Sequence, residues 1–134
     1  MTELDFSGAA VLVVEDNEFI RITLRKYLGD MGFRGIFEAA NGKEAIKLLD
    51  EKPHLIICDI NMEPLNGFDF VKYVRSVETP TTRVPIIFLT GDAHQHQVEE
   101  AIGLGADAYL LKPVTVDSLR NRIVSVMLRK KIPL

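Results

Sequence analysis

The sequence predicts an α/β domain built on a doubly wound parallel sheet. Three observations carry this reading. Short continuous runs of Val, Ile and Leu recur along the chain, as strands buried on both faces require. Between them lie segments whose apolar residues return at helical spacing. Residues suited to caps and turns punctuate the joints, among them Asn17, Gly32, Asn41, Asn66 and Gly67.

In chain order, Ala10–Val14 is the first strand. Asn17 caps the helix after it, which carries Ile20, Leu24, Leu28 and Met31 on one stripe and ends at Gly32. Arg34–Glu38 is a second, more polar strand suited to an edge. Asn41 caps the second helix, which buries Ala45, Ile46 and Leu49 before Pro53 stops it. Leu55–Cys58 is the third strand, and the helix after Asn66–Gly67 buries Phe68, Val71 and Val74. Val84–Leu89 is the fourth strand, followed by a helix from about Ala93 to Ile102 with Val98, Ala101 and Ile102 inward. Ala108–Leu111 is the fifth strand, and Thr115 caps a last helix presenting Leu119, Ile123, Val126 and Met127 on one face before Pro133. Strands alternating with helices imply right-handed crossovers, with helices on both faces of the sheet.

The 134 residues suit one domain, 1–134, with no linker, repeat or output domain in view. A net charge of −3 gives no footprint for nucleic acid or an anionic membrane. Arg129, Lys130 and Lys131 read as charge complementing a helix C-terminus. The single cysteine, Cys58, cannot form an internal disulfide and reads as a small buried hydrophobe. With no signal peptide and no run of the ~20 apolar residues a bilayer span needs, the expected location is the cytoplasm. His94 and His96 lie two apart, off a common helix face, and read as exposed. Tyr27, Tyr73 and the phenylalanines at 19, 33, 68 and 70 read as packing.

In such a sheet, ligands bind beyond the carboxyl ends of the strands. Glu15 and Asp16 follow the first strand, Asp59 the third, Thr90 the fourth and Lys112 the fifth. Three carboxylates on one rim repel one another unless a proton or a cation joins them. Oxygen ligands without Cys or His favour Mg²⁺ (or Mn²⁺), and the expected chemistry is phosphoryl transfer with Asp59 as the nucleophile. Acidic residues after strands also serve simply as helix caps, a role open to Asp16.

The stretches VLVVEDN, LIICDINMEPLNG, PIIFLTG and GADAYLLKP, in that order, resemble the receiver domain of two-component response regulators. The resemblance implies a flavodoxin-like (βα)5 three-layer sandwich with strand order 2-1-3-4-5. By it, Asp59 is the phosphoacceptor, while Glu15, Asp16, Asp59 and the main-chain carbonyl of Asn61 hold the metal. Thr90 and Tyr109 are the switch pair, Lys112 contacts Asp59 or its phosphoryl group, and Lys112–Pro113 is a cis peptide. Asn61 and Asp92 tune the lifetime of the phosphoryl group. A sensor histidine kinase or phosphotransfer protein is the implied donor. A downstream protein or a second copy binds the face of the fourth helix, fifth strand and fifth helix.

Three positions depart from the commonest pattern: Glu15 for the first aspartate, Gly91 for alanine, and Glu63–Pro64 in place of a proline directly after Met62. Two other readings compete. A Mg²⁺-dependent aspartyl phosphohydrolase would want a second acid where Asn61 stands. A receiver-like module working without phosphorylation would not need the whole set of site residues.

Overall fold

In the computed structural model, residues 4–77, 83–91 and 95–130 are described. Five strands form one parallel sheet: β1 (Ala10–Val14), β2 (Gly35–Ala39), β3 (Leu55–Asp59), β4 (Ile86–Thr90) and β5 (Ala108–Leu111). Their order across the sheet is β2-β1-β3-β4-β5. The helices are α1 (Glu18–Asp30), α2 (Gly42–Leu48), α3 (Gly67–Ser76), α4 (Gln95–Gly103) and α5 (Val116–Lys130). A 3-10 turn, Leu49–Glu51, follows α2.

Strand alternation sorts the core into two layers. Val11, Val13, Ile57, Ile87 and Leu89 face Leu24 and Leu28 of α1 and the Leu119, Ile123, Val126 and Met127 stripe of α5. Leu12, Val14, Ile56, Cys58 and Phe88 face the other way, onto Ala45 of α2, Phe70, Val71 and Val74 of α3, and Ala101 of α4. β2 is the least buried strand, as its polar sequence and edge position require.

The helix starts follow the sequence signals. The side chains of Asn17, Asn41 and Asn66 accept hydrogen bonds from the amides of Ile20, Glu44 and Asp69. Thr115 Oγ1 accepts one from the Ser118 amide at 3.1 Å. Gly32 takes φ +96° just past α1, in the left-handed region. Asn66→Ala should cost about 1 kcal/mol. Its thermal midpoint should fall by a few degrees, as differential scanning calorimetry would register.

Several boundaries and inward faces differ from expectation. The fourth strand begins at Ile86 rather than Val84 and ends on Thr90, because Pro85 has no amide to lend to a ladder. Asp59 closes β3, and β2 runs one residue later than expected. Ile102 is 49% exposed: Ala101 faces the core, and the next residue is turned about 100° away. Phe19 is 78% exposed, because its row on α1 continues through polar Thr23 and Lys26 rather than along the Ile20–Leu24 stripe. Phe70, by contrast, is fully buried in α3. Ala93, His94 and Asp92 lie outside the described residues.

The end of the sheet away from the carboxyl rim is pinned by Arg75. Its guanidinium donates to Val84 O at 2.7 Å and to Gly105 O at 2.9 Å from Nη2, and pairs with Asp107 at 3.2 Å. The α3, β4 and β5 elements are thereby tied at one point. Burial lowers the Arg75 pKa, and Asp107 partly offsets that.

Candidate functional site

The rim is assembled by the register of the strands. Val14 pairs with Cys58, Asp59 with Leu89 and Thr90 with Leu111. The residues that follow these pairs therefore emerge at nearly one level. The Lys112 amide donates to Thr90 O at 2.8 Å, fixing the root of the lysine beside β4. The Glu15 amide donates to Ala39 O at 3.0 Å, doing the same for the acidic turn beside β2.

Glu15 is completely buried and Asp59 is 4% exposed, whereas Asp16 is on the surface. Burying two carboxylates needs compensation. Lys112 supplies it: its Nζ lies 2.8 Å from Glu15 Oε1 and 3.1 Å from Asp59 Oδ2. Asp59 Oδ1 accepts the Asn61 amide at 3.3 Å, and Glu15 Oε2 accepts the Asn17 amide at 3.2 Å. Glu15 Oε1, although in charge contact with Lys112, accepts no well-aligned hydrogen bond. Oxygens of Glu15, Asp16 and Asp59 lie within 4.8 Å of one another. At that separation two charges repel by about 1 kcal/mol in water and about 3–4 kcal/mol at an effective dielectric near 20.

One ammonium thus serves two buried carboxylates, with Asp16 a third carboxylate close by, and Glu15 shows the strain. Burial first, then the neighbouring Asp16 and Asp59, push its pKa up to about 7 against the opposing pull of Lys112. Burial would lower the Lys112 pKa, but Glu15 and Asp59 outweigh it and hold it raised. The oxygen donor set, the under-served Glu15 Oε1 and the excess negative charge together fit a hard divalent cation.

That pKa has a measurable consequence. Between about 4.5 and 7 the folded protein retains a Glu15 proton that the unfolded chain has lost. This group's contribution to stability is present below the lower value and is lost as pH rises through the upper one. The metal-free protein should therefore lose thermal stability between roughly pH 4.5 and 7 from this group. Added Mg²⁺ should raise the midpoint more at pH 8 than at pH 6, as paired melts with and without the metal would record.

Thr90 is 1% exposed at the end of β4. Tyr109 is half-buried on the neighbouring strand, with the Arg122 guanidinium 5.8 Å over its ring. Lys112–Pro113 is a cis peptide, and so is Glu63–Pro64. Asn61 is exposed and opens the loop 61–66, whose Asn61, Met62, Glu63, Pro64 and Asn66 line a cavity. A methyl at Gly91 would meet no described atom within 4 Å, so the glycine is not forced by crowding. Cys58 is fully buried behind the site, and burial followed by the charges of Asp59 and Glu15 raises its thiol pKa well above the ordinary value. It is an inert packing residue.

Glu15, Asp16, Asp59 and Lys112 converge, with Thr90 ending the adjacent strand. Asp92 falls outside the described residues. Sequence reasoning passes over Arg21, whose Nη1 donates to Glu15 O at 2.8 Å. A single arginine on an amphipathic helix carries no signal until the fold turns it back toward the end of β1.

The family profile described as response regulator receiver domain matches residues 11–124. A probable chemotaxis protein CheY from Rhizobium etli is 34% identical over 117 residues, covering 87% of this chain and 90% of that protein. Chemotaxis protein CheY1 from Helicobacter pylori is 33% identical over 119 residues, covering 87% of this chain and 95% of its own length. Among solved structures, Vibrio cholerae chemotaxis protein CheY4 superposes with a TM-score of 0.81 at 32% identity, covering 88% of this chain and 98% of that one. Fold, acidic rim and likeness agree: the chain belongs to the response regulator receiver domains of two-component signalling.

Proposed function

We propose that Asp59 is the phosphoacceptor of this receiver and that its modification switches a protein-binding face. The observation that carries the reading is the setting of Asp59. It is almost fully buried at a strand end, paired with Lys112 at 3.1 Å, and shares a cluster with Glu15 and Asp16. A buried carboxylate held by a cation on one side keeps its other oxygen for attack on phosphorus. A bound Mg²⁺ would neutralise charge on the transferred phosphoryl oxygens. Glu15, Asp16 and Asp59 would hold it, together with the Asn61 carbonyl.

The donor is a sensor histidine kinase or phosphotransfer protein, and the domain acts as a signalling module rather than an enzyme for an external substrate. Modified Asp59 carries a charge near −2 at pH 7. Lys112 pairs with that charge, and the Thr90 hydroxyl donates to a phosphoryl oxygen. Tyr109 then follows into the space beside Thr90. The face built from α4, β5 and α5 changes shape and binds a downstream protein or a second copy. Exposed Ile102 on α4 and Leu111 on β5 give that face apolar contact area. The shift is as large as the difference in affinity between the two forms.

Three measurements test this together. Wild-type protein should bind Mg²⁺ in a calorimetric titration, and Asp16→Ala should not. Hydrolysis of an external phosphomonoester with turnover would instead favour the phosphohydrolase, a reaction for which exposed Asn61 offers no general acid. Beryllofluoride-treated protein should retain a partner on a pull-down that untreated protein does not. Equal retention would support the module that works without phosphorylation.

A further inference from the structure

We propose that Arg21 is a positioning residue for the metal-binding carboxylates, acting through the main chain of Glu15. The inference rests on the reading of Glu15 and Asp16 as metal ligands. Arg21 Nη1 donates to Glu15 O at 2.8 Å, across six residues of sequence. Its Nε lies 3.4 Å from Glu38 Oε1 on β2, and the other oxygen of Glu38 is taken by Arg25 Nη1 at 3.0 Å. The side chains of Arg21 and Glu38 are only 19% and 23% exposed, so this contact is screened less than a surface pair.

The contact has a specific mechanical consequence. Glu15 O belongs to the peptide plane that Glu15 shares with the Asp16 amide. Fixing that oxygen fixes the plane, and with it the direction in which the Asp16 side chain leaves the backbone. The opposite side of the turn is already set: Glu15 N bonds Ala39 O, Glu15 Oε2 accepts from Asn17 N, and Asn17 Oδ1 accepts from Ile20 N. Arg21 supplies the remaining restraint, on the carbonyl side. Asp16 is exposed, so its orientation depends on this backbone more than on packing. Arg21 and Glu38 thus brace the acidic turn against the end of β2.

Charge and geometry predict opposite signs for removal of the arginine. A cation near a dication's site weakens metal binding, so loss of charge alone would tighten it. Loss of the brace should weaken it, by about tenfold, at the lower end of the effect of outer-sphere partners. Arg25→Ala is the control, because it removes a cation from the same Glu38 without touching Glu15.

The test is a calorimetric Mg²⁺ titration of wild type, Arg21→Ala, Arg21→Lys and Arg25→Ala, with the ¹⁵N spectrum of each metal-free protein. The proposal expects Arg21→Ala to bind Mg²⁺ about tenfold more weakly. Arg21→Lys should fall between it and wild type, and Arg25→Ala should not be weakened. The Asp16 amide should shift in both Arg21 variants before any metal is added. Unchanged or tighter binding in Arg21→Ala, or equal weakening in Arg25→Ala, would overturn it. Should Arg21→Ala not fold, wild-type affinity together with an unmoved Asp16 amide in Arg21→Lys would overturn it equally. If wild type itself binds no Mg²⁺, the metal reading fails and the proposal with it; the Asp16 amide still tells whether Arg21 braces the turn.

Discussion

Asp59→Asn loses phosphoryl incorporation from acetyl phosphate and Mg²⁺, to below about one per cent of wild type, because an amide offers no carboxylate nucleophile. The substitution is nearly isosteric, so the packing of Ile57, Cys58 and Phe88 around β3 should survive. One member of a crowded acidic cluster is removed as well, which relieves repulsion on Glu15. The variant should therefore fold, and its melting curve should show no loss of stability comparable with the loss of chemistry. Acid-labile phosphate measured on both proteins, beside their melts, separates chemistry from unfolding. Incorporation surviving in the variant would move the acceptor elsewhere on the rim.

The second large effect is structural. Gly67 opens α3 directly behind the acceptor, and its amide donates to Ile60 O at 2.9 Å. A Cβ there would collide with Asp59 O and would lie 2.9 Å from Ile60 Cα and 3.0 Å from the ring of Phe88. Two of these neighbours are backbone of the very segment that presents Asp59, so no flexible side chain can swing aside. Overpacking of this kind costs about 1–3 kcal/mol, and rigid backbone neighbours place Gly67→Ala at or above the upper end. Its midpoint in urea should drop accordingly, and its rate of phosphorylation should fall even where it remains folded. A stability within about 0.5 kcal/mol of wild type would mean that the 60–67 segment relaxes freely.

Much of this was legible in the sequence, for physical reasons. Strands buried on both faces must be continuously apolar, so β1, β3 and β4 stand out. Asn17, Asn41 and Asn66 declare helix starts because each side chain replaces a missing intrahelical acceptor. Once strand ends are known, so is the rim, and the acidic residues there can be collected before any coordinate is seen.

Other features depend on angle and distance. Ile102 and Phe19 are large apolar residues next to a buried stripe, and one residue of helical rotation carries each into solvent. The Arg21 contact to Glu15 O arises only when α1 lies against the end of β1, which no spacing rule encodes. The division of one lysine between Glu15 and Asp59 is similar. The sequence placed all three at the rim, and the fold decides that Lys112 reaches both carboxylates. The segment Glu63–Pro64, unusual in sequence, lines the cavity of the 61–66 loop, whose base the Gly67 amide closes by donating to Ile60 O.

The central claim is that Asp59 itself takes the phosphoryl group. Its most direct test is to treat the protein with acetyl phosphate and Mg²⁺, reduce the acyl phosphate with borohydride, and locate the resulting homoserine by peptide mass spectrometry. The account predicts conversion at position 59 alone. Conversion at Glu15 or Asp16, or none anywhere while Mg²⁺ is bound, would contradict it.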